Sequence, residues 1–264
     1  MMRITPMVKN ILIINVGIFL IQAILSLPLS QIFGLRVVFA DDFVPYQFVT
    51  YMWIHGGFGH ILGNMFAVFI FGPMLEQVWG SKRFLTFYLI CGIGAGVLYG
   101  AADYVENISL KNDTEAYLDN PNPEAFSMFI VEHKSYHYNL PRLAEFSDDY
   151  YKNADNVAYQ QQAIEIVKDI FSSITNVPMV GASGAVFGIL MAFGMLFPNT
   201  QLFLLFPPIP IKAKYLVLFY GLYELYSEFS RTSGDNVAHL AHLGGMLIAY
   251  ILLKIWQKDN GRFY

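Results

Sequence analysis

The sequence predicts an all-α membrane protein: a six-transmembrane-helix bundle with a large extracytoplasmic insertion between helices 3 and 4. Three observations carry this. Hydrophobic residues make up 55% of the 264 residues and charged residues only 14%, against about a quarter charged in soluble domains. The apolar residues are gathered into runs close to the ~20 residues that a helix needs to cross the hydrocarbon. The basic residues fall mainly into alternate connections between those runs, as the positive-inside rule requires.

The runs occupy residues 11–33, 58–78, 84–104, 182–197, 213–229 and 237–256. In lipid each backbone group needs an internal partner, so helices are the expected form. The first run continues without a small-residue cleavage site and reads as a retained span. With the N-terminus in the cytoplasm, that side holds Arg3, Lys9, Lys82, Arg83, Lys212, Lys214, Lys254, Lys258 and Arg262, and the other side's short loops only Arg36 and Arg231. Both termini are therefore expected in the cytoplasm, with the bacterial cell (inner) membrane as the expected location. The domain division follows: residues 1–104 carry helices 1–3, 105–178 the insertion, and 179–264 helices 4–6.

The insertion has thirteen acidic against five basic residues between Asp103 and Asp169. Loops this long usually have structure or function of their own. Ala163, Ile166, Val167, Ile170, Phe171 and Ile174 recur at helical spacing, which predicts an amphipathic helix over residues 155–175. It is expected to lie on the membrane surface or to cap the bundle; the alternative is a partly disordered insertion with one transient helix. A net charge of −4 argues against nucleic acid as a partner. The single cysteine, Cys91, excludes an internal disulfide and a thiolate metal cluster.

Polar residues inside spans are functional candidates by default. They gather at His55, His60 and Asn64 by the second span, at Gly181-Ala182-Ser183-Gly184 opening the fourth, and at His239 and His242 in the sixth. A serine hydroxyl is a weak nucleophile that needs an adjacent base. Ser183 sits at a helix mouth among small residues, where a substrate backbone can approach and the helix N-terminus favours developing negative charge. Gly184-x-x-x-Gly188 is equally a helix-packing signature. His242 lies within the small-residue ridge Ala241, Gly245, Ala249, where a second small-residue helix can come close enough for Ser183 and His242 to hydrogen bond. A purely stabilising interhelical hydrogen bond is the bland alternative. His239, nearer the outer end, is expected where water reaches it. His60 and Asn64, four residues apart, share a helix face and can both donate towards one point, as an oxyanion site needs. No His-Glu-x-x-His pattern occurs and no metal or cofactor is expected. The sixth span holds no Asp or Glu to orient His242, so the pattern reads as a dyad.

Together these motifs resemble the rhomboid family of intramembrane serine proteases: a His and Asn four apart in the second span, GxSG opening the fourth and AHxxG in the sixth. Gly72-Pro73-Met74-Leu75-Glu76 and Gly80-Ser81-Lys82-Arg83-Phe84 are similar to the family too. The resemblance implies a serine-type endopeptidase that cleaves transmembrane protein substrates in the lipid bilayer. It implies Ser183 as nucleophile, His242 as general base then acid, and His60, Asn64 and the Ser183 N–H as the oxyanion hole. His55, Gly181, Gly184, Phe187 and Gly245 would support the site. The chain departs from the pattern at Tyr46-Gln47, where many bacterial relatives have Trp-Arg; at Phe187, where a tyrosine often stacks on the histidine; and at Ala249, often a glycine. One alternative is a rhomboid-like pseudoprotease that binds membrane clients without cleavage. A small transporter is another, but the paired halves it would need are not evident.

Overall fold

The computed structural model describes residues 3–133, 140–203, 209–230 and 237–260. Arg231 and Arg262 of the charge map lie outside the described residues. Ten helices and one short hairpin are seen among them. The chain divides into two compact units, one drawn from Met1–Leu35, Val44–Ala101 and Pro178–Tyr264, the other from Arg36–Phe43 and Ala102–Val177.

The first unit opens with α1 (Pro6–Leu25), whose proline occupies the first turn, where a missing N–H costs nothing. The helix begins before the expected 11–33 run and ends well inside it. Ser26 closes it at φ 51° and Pro28 prevents continuation, so Leu29–Phe33 forms a separate short helix, α2. After α3 (Gln47–Thr50) and a 3-10 turn at Tyr51–Trp53 comes α4 (Phe58–Asp119), which holds the second and third expected spans in one element. Its backbone breaks at Gly80, φ 76° and ψ 160°, a conformation that glycine alone adopts cheaply. Just before the break, Glu76 accepts hydrogen bonds from the Met7 and Val8 N–H groups, both at 2.9 Å, from Ser81 Oγ at 2.5 Å and from Thr5 Oγ1. One carboxylate thus caps the start of α1 and fastens it to the break, satisfying donors that no helix satisfies internally.

Helix α8 (Ser183–Leu196) is central, with ten of its fourteen residues buried. It packs against α9 (Ala213–Phe229) and α10 (His239–Asn260). Between α8 and α9, β1 (Gln201–Phe203) pairs antiparallel with β2 (Pro210–Lys212), a hairpin not expected from the sequence. By contrast α1 buries only Val8, Ile11 and Asn15, and α9 only Ala213, Val217 and Glu224. Their remaining apolar surface faces outwards, as on helices whose solvent is lipid. Helices α1, α4 and α10 contain stretches long and apolar enough to cross a membrane, and α8 is a shorter apolar helix.

The second unit holds the end of α4, α5 (Pro123–His133), α6 (Leu140–Lys152) and α7 (Val157–Thr175). Asn156 caps α7 by accepting from the Ala158 N–H at 2.9 Å, an ordinary N-cap contact. The expected helix of residues 155–175 is present, but its apolar face is not left for the membrane. Ala163, Val167 and Ile170 are buried in a core with Leu110, Tyr117, Phe126, Phe129, Ile130, Leu143 and Tyr150. The unit makes this core from its own aromatic and aliphatic residues. Helix α4 also runs past residue 104 to Asp119, which moves the start of the insertion into a helix.

Candidate active site

The backbone that leads into Ser183 is pinned before the helix begins. Leu35 and Met179 exchange N–H···O bonds of 2.9 and 2.8 Å, and the Gly181 N–H donates to the Tyr51 carbonyl at 2.9 Å. Tyr51 is itself anchored, its hydroxyl donating to the Gly92 carbonyl at 2.7 Å. Gly181 has φ 125°, which a residue with a Cβ would adopt only under strain. A Cβ there would also stand 2.5 Å from His60 Nε2 and 3.8 Å from Asn64 Nδ2. The bare glycine therefore brings the turn against both side chains.

Ser183 is the first residue of α8, so its N–H belongs to the set with no intrahelical acceptor. The side chain is partly accessible. Its position against α10 depends on two glycines. A Cβ on Gly245 would fall on the Gly184 carbonyl, and one on Gly184 would stand 3.4 Å from the Ala241 carbonyl oxygen. This backbone-to-backbone approach sets His242 Nε2 2.8 Å from Ser183 Oγ, inside the range for a competent nucleophile–base pair. Phe187, one turn further along α8, stacks on the His242 ring with centroids 4.2 Å apart and planes 8° from parallel. The imidazole is held in plane from one side and aimed at the hydroxyl.

From the start of α4, Asn64 is buried, and its Nδ2 has no hydrogen-bond partner among the described residues. A buried amide donor is seldom left unpaired without a reason. His60 is exposed, its ring 5.2 Å from the fully buried His55 ring at 70°. Gly181, Ser183, His242, His60 and Asn64 are thus assembled from α4, the turn before α8, α8 and α10.

Two features depart from the sequence reading. His239 is buried rather than water-exposed, and its Nδ1 donates to Glu224 Oε2 at 2.5 Å. The acidic neighbour that the sixth span lacks comes from α9: the same Glu224 oxygen lies 2.9 Å from His242 Nδ1. That second contact is at ion-pair distance but off the line of a hydrogen bond, since His242 Nδ1 satisfies no hydrogen-bond geometry. Glu224 was discoverable, as a carboxylate in the middle of an apolar run is a functional candidate. Glu224, His239 and His242 also offer one donor atom each within 4.8 Å of one another, a set that could hold a metal ion.

Comparison with known proteins gives a match to the Rhomboid domain over residues 43–110 and 161–258, more than half of the chain. Rhomboid-like protein 12, mitochondrial, of Arabidopsis thaliana is 24% identical over 97% of this chain and 60% of its own length. Rhomboid-like protein 6, mitochondrial, of the same plant is 45% identical over 20% of this chain and 17% of its own. Rhomboid protease AarA of Providencia stuartii is 23% identical over 41% of this chain and 42% of its own. The chain spans less than two thirds of the length of these relatives.

Proposed function

The chain belongs to the rhomboid family, and on that footing we propose that it is an intramembrane serine endopeptidase that cleaves transmembrane protein substrates. The 2.8 Å contact between His242 Nε2 and Ser183 Oγ carries the reading. As Ser183 Oγ attacks a scissile carbonyl carbon, its proton passes to His242 Nε2. The resulting oxyanion is received by the Ser183 N–H, Asn64 Nδ2 and His60, since donors aimed at developing charge in a water-poor site act most strongly. The imidazolium then protonates the leaving amine, and water repeats the sequence on the acyl-serine. Phe187 and the Gly184–Gly245 contact hold the base in line; Gly181 and His55 shape the wall behind His60. The charge map supports six spans with both termini in the cytoplasm and the insertion outside it.

The test is cleavage of a generic transmembrane substrate by purified protein in liposomes, with Ser183→Ala and His242→Ala beside it. Both variants should keep their fold and lose cleavage. They should also lose labelling by a fluorophosphonate, and the double variant should be no worse than either. His60→Ala should fall between, about 10²–10³-fold down, if it supplies one oxyanion donor. Undiminished cleavage by Ser183→Ala would refute the serine mechanism. A folded wild-type protein that neither labels nor cleaves would make it a client-binding pseudoprotease.

A further inference from the structure

We propose that Glu224 is a positioning residue for His242, so that the site works as a carboxylate–histidine–serine relay assembled across three helices, with His239 holding the carboxylate in place. This rests on the assignment of Ser183 and His242 as the reacting pair.

The argument begins with where Glu224 lies. Helix α9 buries few residues, and Val217 and Glu224, seven apart and so on one face, are among them. Glu224 is only 4% exposed. A carboxylate inside an apolar bundle is strongly disfavoured unless partners compensate it. Here Oε2 faces two imidazoles, His239 Nδ1 at 2.5 Å and His242 Nδ1 at 2.9 Å. An ionised carboxylate can only accept, so it favours the proton on Nδ1 of each ring. For His242 that choice leaves the Nε2 lone pair free to receive the Ser183 proton, which is the tautomer a base requires. The wrong tautomer would present an N–H to the hydroxyl and could take no proton from it.

Charge reinforces the tautomer. When His242 accepts the serine proton it becomes a cation in a water-poor site, and the carboxylate beside Nδ1 compensates that charge as it forms. No further proton moves: the Nδ1–H stays on the ring and Glu224 stays ionised. Glu224 Oε2 can accept from both rings, because each carboxylate oxygen carries two lone pairs. Catalytic hydrogen bonds are often misaligned until substrate or charge draws them together. The two histidines, with ring centroids 6.3 Å apart at 87°, approach the oxygen from different directions, so the His242 bond can straighten without displacing His239.

The experiment compares Glu224→Gln, which keeps the size and removes the charge, with wild type, Glu224→Asp, Ser183→Ala and His242→Ala, as full chains in liposomes. Glu224→Gln should lower kcat by about 10²–10⁴-fold, the range expected for an orienting carboxylate, with KM within threefold. The rate of fluorophosphonate labelling at Ser183 should fall with it. Glu224→Asp, retaining the charge on a shorter arm, should recover part of the loss. A packing role alone would lower the melting temperature without this split between kcat and KM or the partial rescue. A Glu224→Gln protein with kcat within threefold of wild type, beside an inactive Ser183→Ala, overturns the proposal and leaves the protease reading intact. Cleavage by Ser183→Ala or His242→Ala overturns that reading instead. Should Glu224→Gln fail to fold, the imidazole ¹⁵N spectrum of wild type still decides: a protonated Nδ1 and bare Nε2 on His242 support the relay, and the opposite tautomer overturns it. Activity lost to a chelator and restored by zinc would also overturn it, by making the three residues metal ligands.

Discussion

Replacing Gly245 with alanine tests whether the distance between two backbones sets the chemistry. An ideal Cβ at position 245 would stand 2.7 Å from the Gly184 carbonyl carbon and closer still to its oxygen, whereas ordinary contact begins at 3.4 Å. Neither atom is the end of a flexible side chain, so α8 and α10 must separate by roughly 1 Å, as overpacked cores do. Gly184 adjoins Ser183, and Gly245 lies one turn from His242. The same opening would lengthen the 2.8 Å Ser183–His242 contact to roughly 3.8 Å, outside hydrogen-bond range. A misplacement of about 1 Å can lower the rate by about 10²-fold. The stability change should be smaller: overpacking costs about 1–3 kcal/mol, offset by about 1 kcal/mol gained when alanine replaces a helical glycine. The neighbouring Gly244 is the control, because a Cβ there would meet Ala95 and Leu98 at an ordinary 3.4 Å. Cleavage kinetics and melting temperature of Gly245→Ala and Gly244→Ala, measured in the same liposomes, should show a large kcat loss in the first alone. A Gly245→Ala protein that cuts at the wild-type rate, or equal impairment of the two, would refute this reasoning.

Two further outcomes concern the second unit. Phe126 is fully buried in its core, so Phe126→Ala should destabilise that unit by about 3–5 kcal/mol, read as faster hydrogen exchange in peptides from residues 102–177; unchanged protection there would show that the core is not what holds the unit. Asp155 is exposed and the only native cysteine, Cys91, is buried, so Asp155→Cys should be labelled by an impermeant maleimide from outside intact cells, and labelling only after lysis would overturn the proposed topology.

What could be read from the sequence, and what could not, divides by the range of the interaction responsible. The helices of the bundle were legible because apolar run length is a local property, and residues 213–229 match α9 end to end. The end of the first run is not legible in this way, because an apolar count passes straight through Ser26 and Pro28, whose backbone geometry is what stops α1. The insertion's helix was legible from its period, but not where its apolar face would go, since that depends on apolar residues as far back in the chain as Leu110 and Tyr117. The site shows the same division more sharply. The residues proposed for the site, Ser183, His242, His60 and Asn64, each sit in a short motif with a local signal: glycines that allow close approach, and a four-residue spacing that puts two polar side chains on one helix face. Glu224 has no such motif. It lies among tyrosines and leucines, and its meaning comes wholly from α9 packing beside α10. A carboxylate that meets a histidine in a helical bundle need not be near it in sequence. A buried charge in an apolar helix is expensive enough to demand a partner, and among the polar groups buried in this bundle the two histidines of α10 are the ones it meets. Scanning every span for an isolated carboxylate, and then asking which imidazole could compensate it, would have recovered Glu224 from the sequence. It would have predicted that His239 is buried as well.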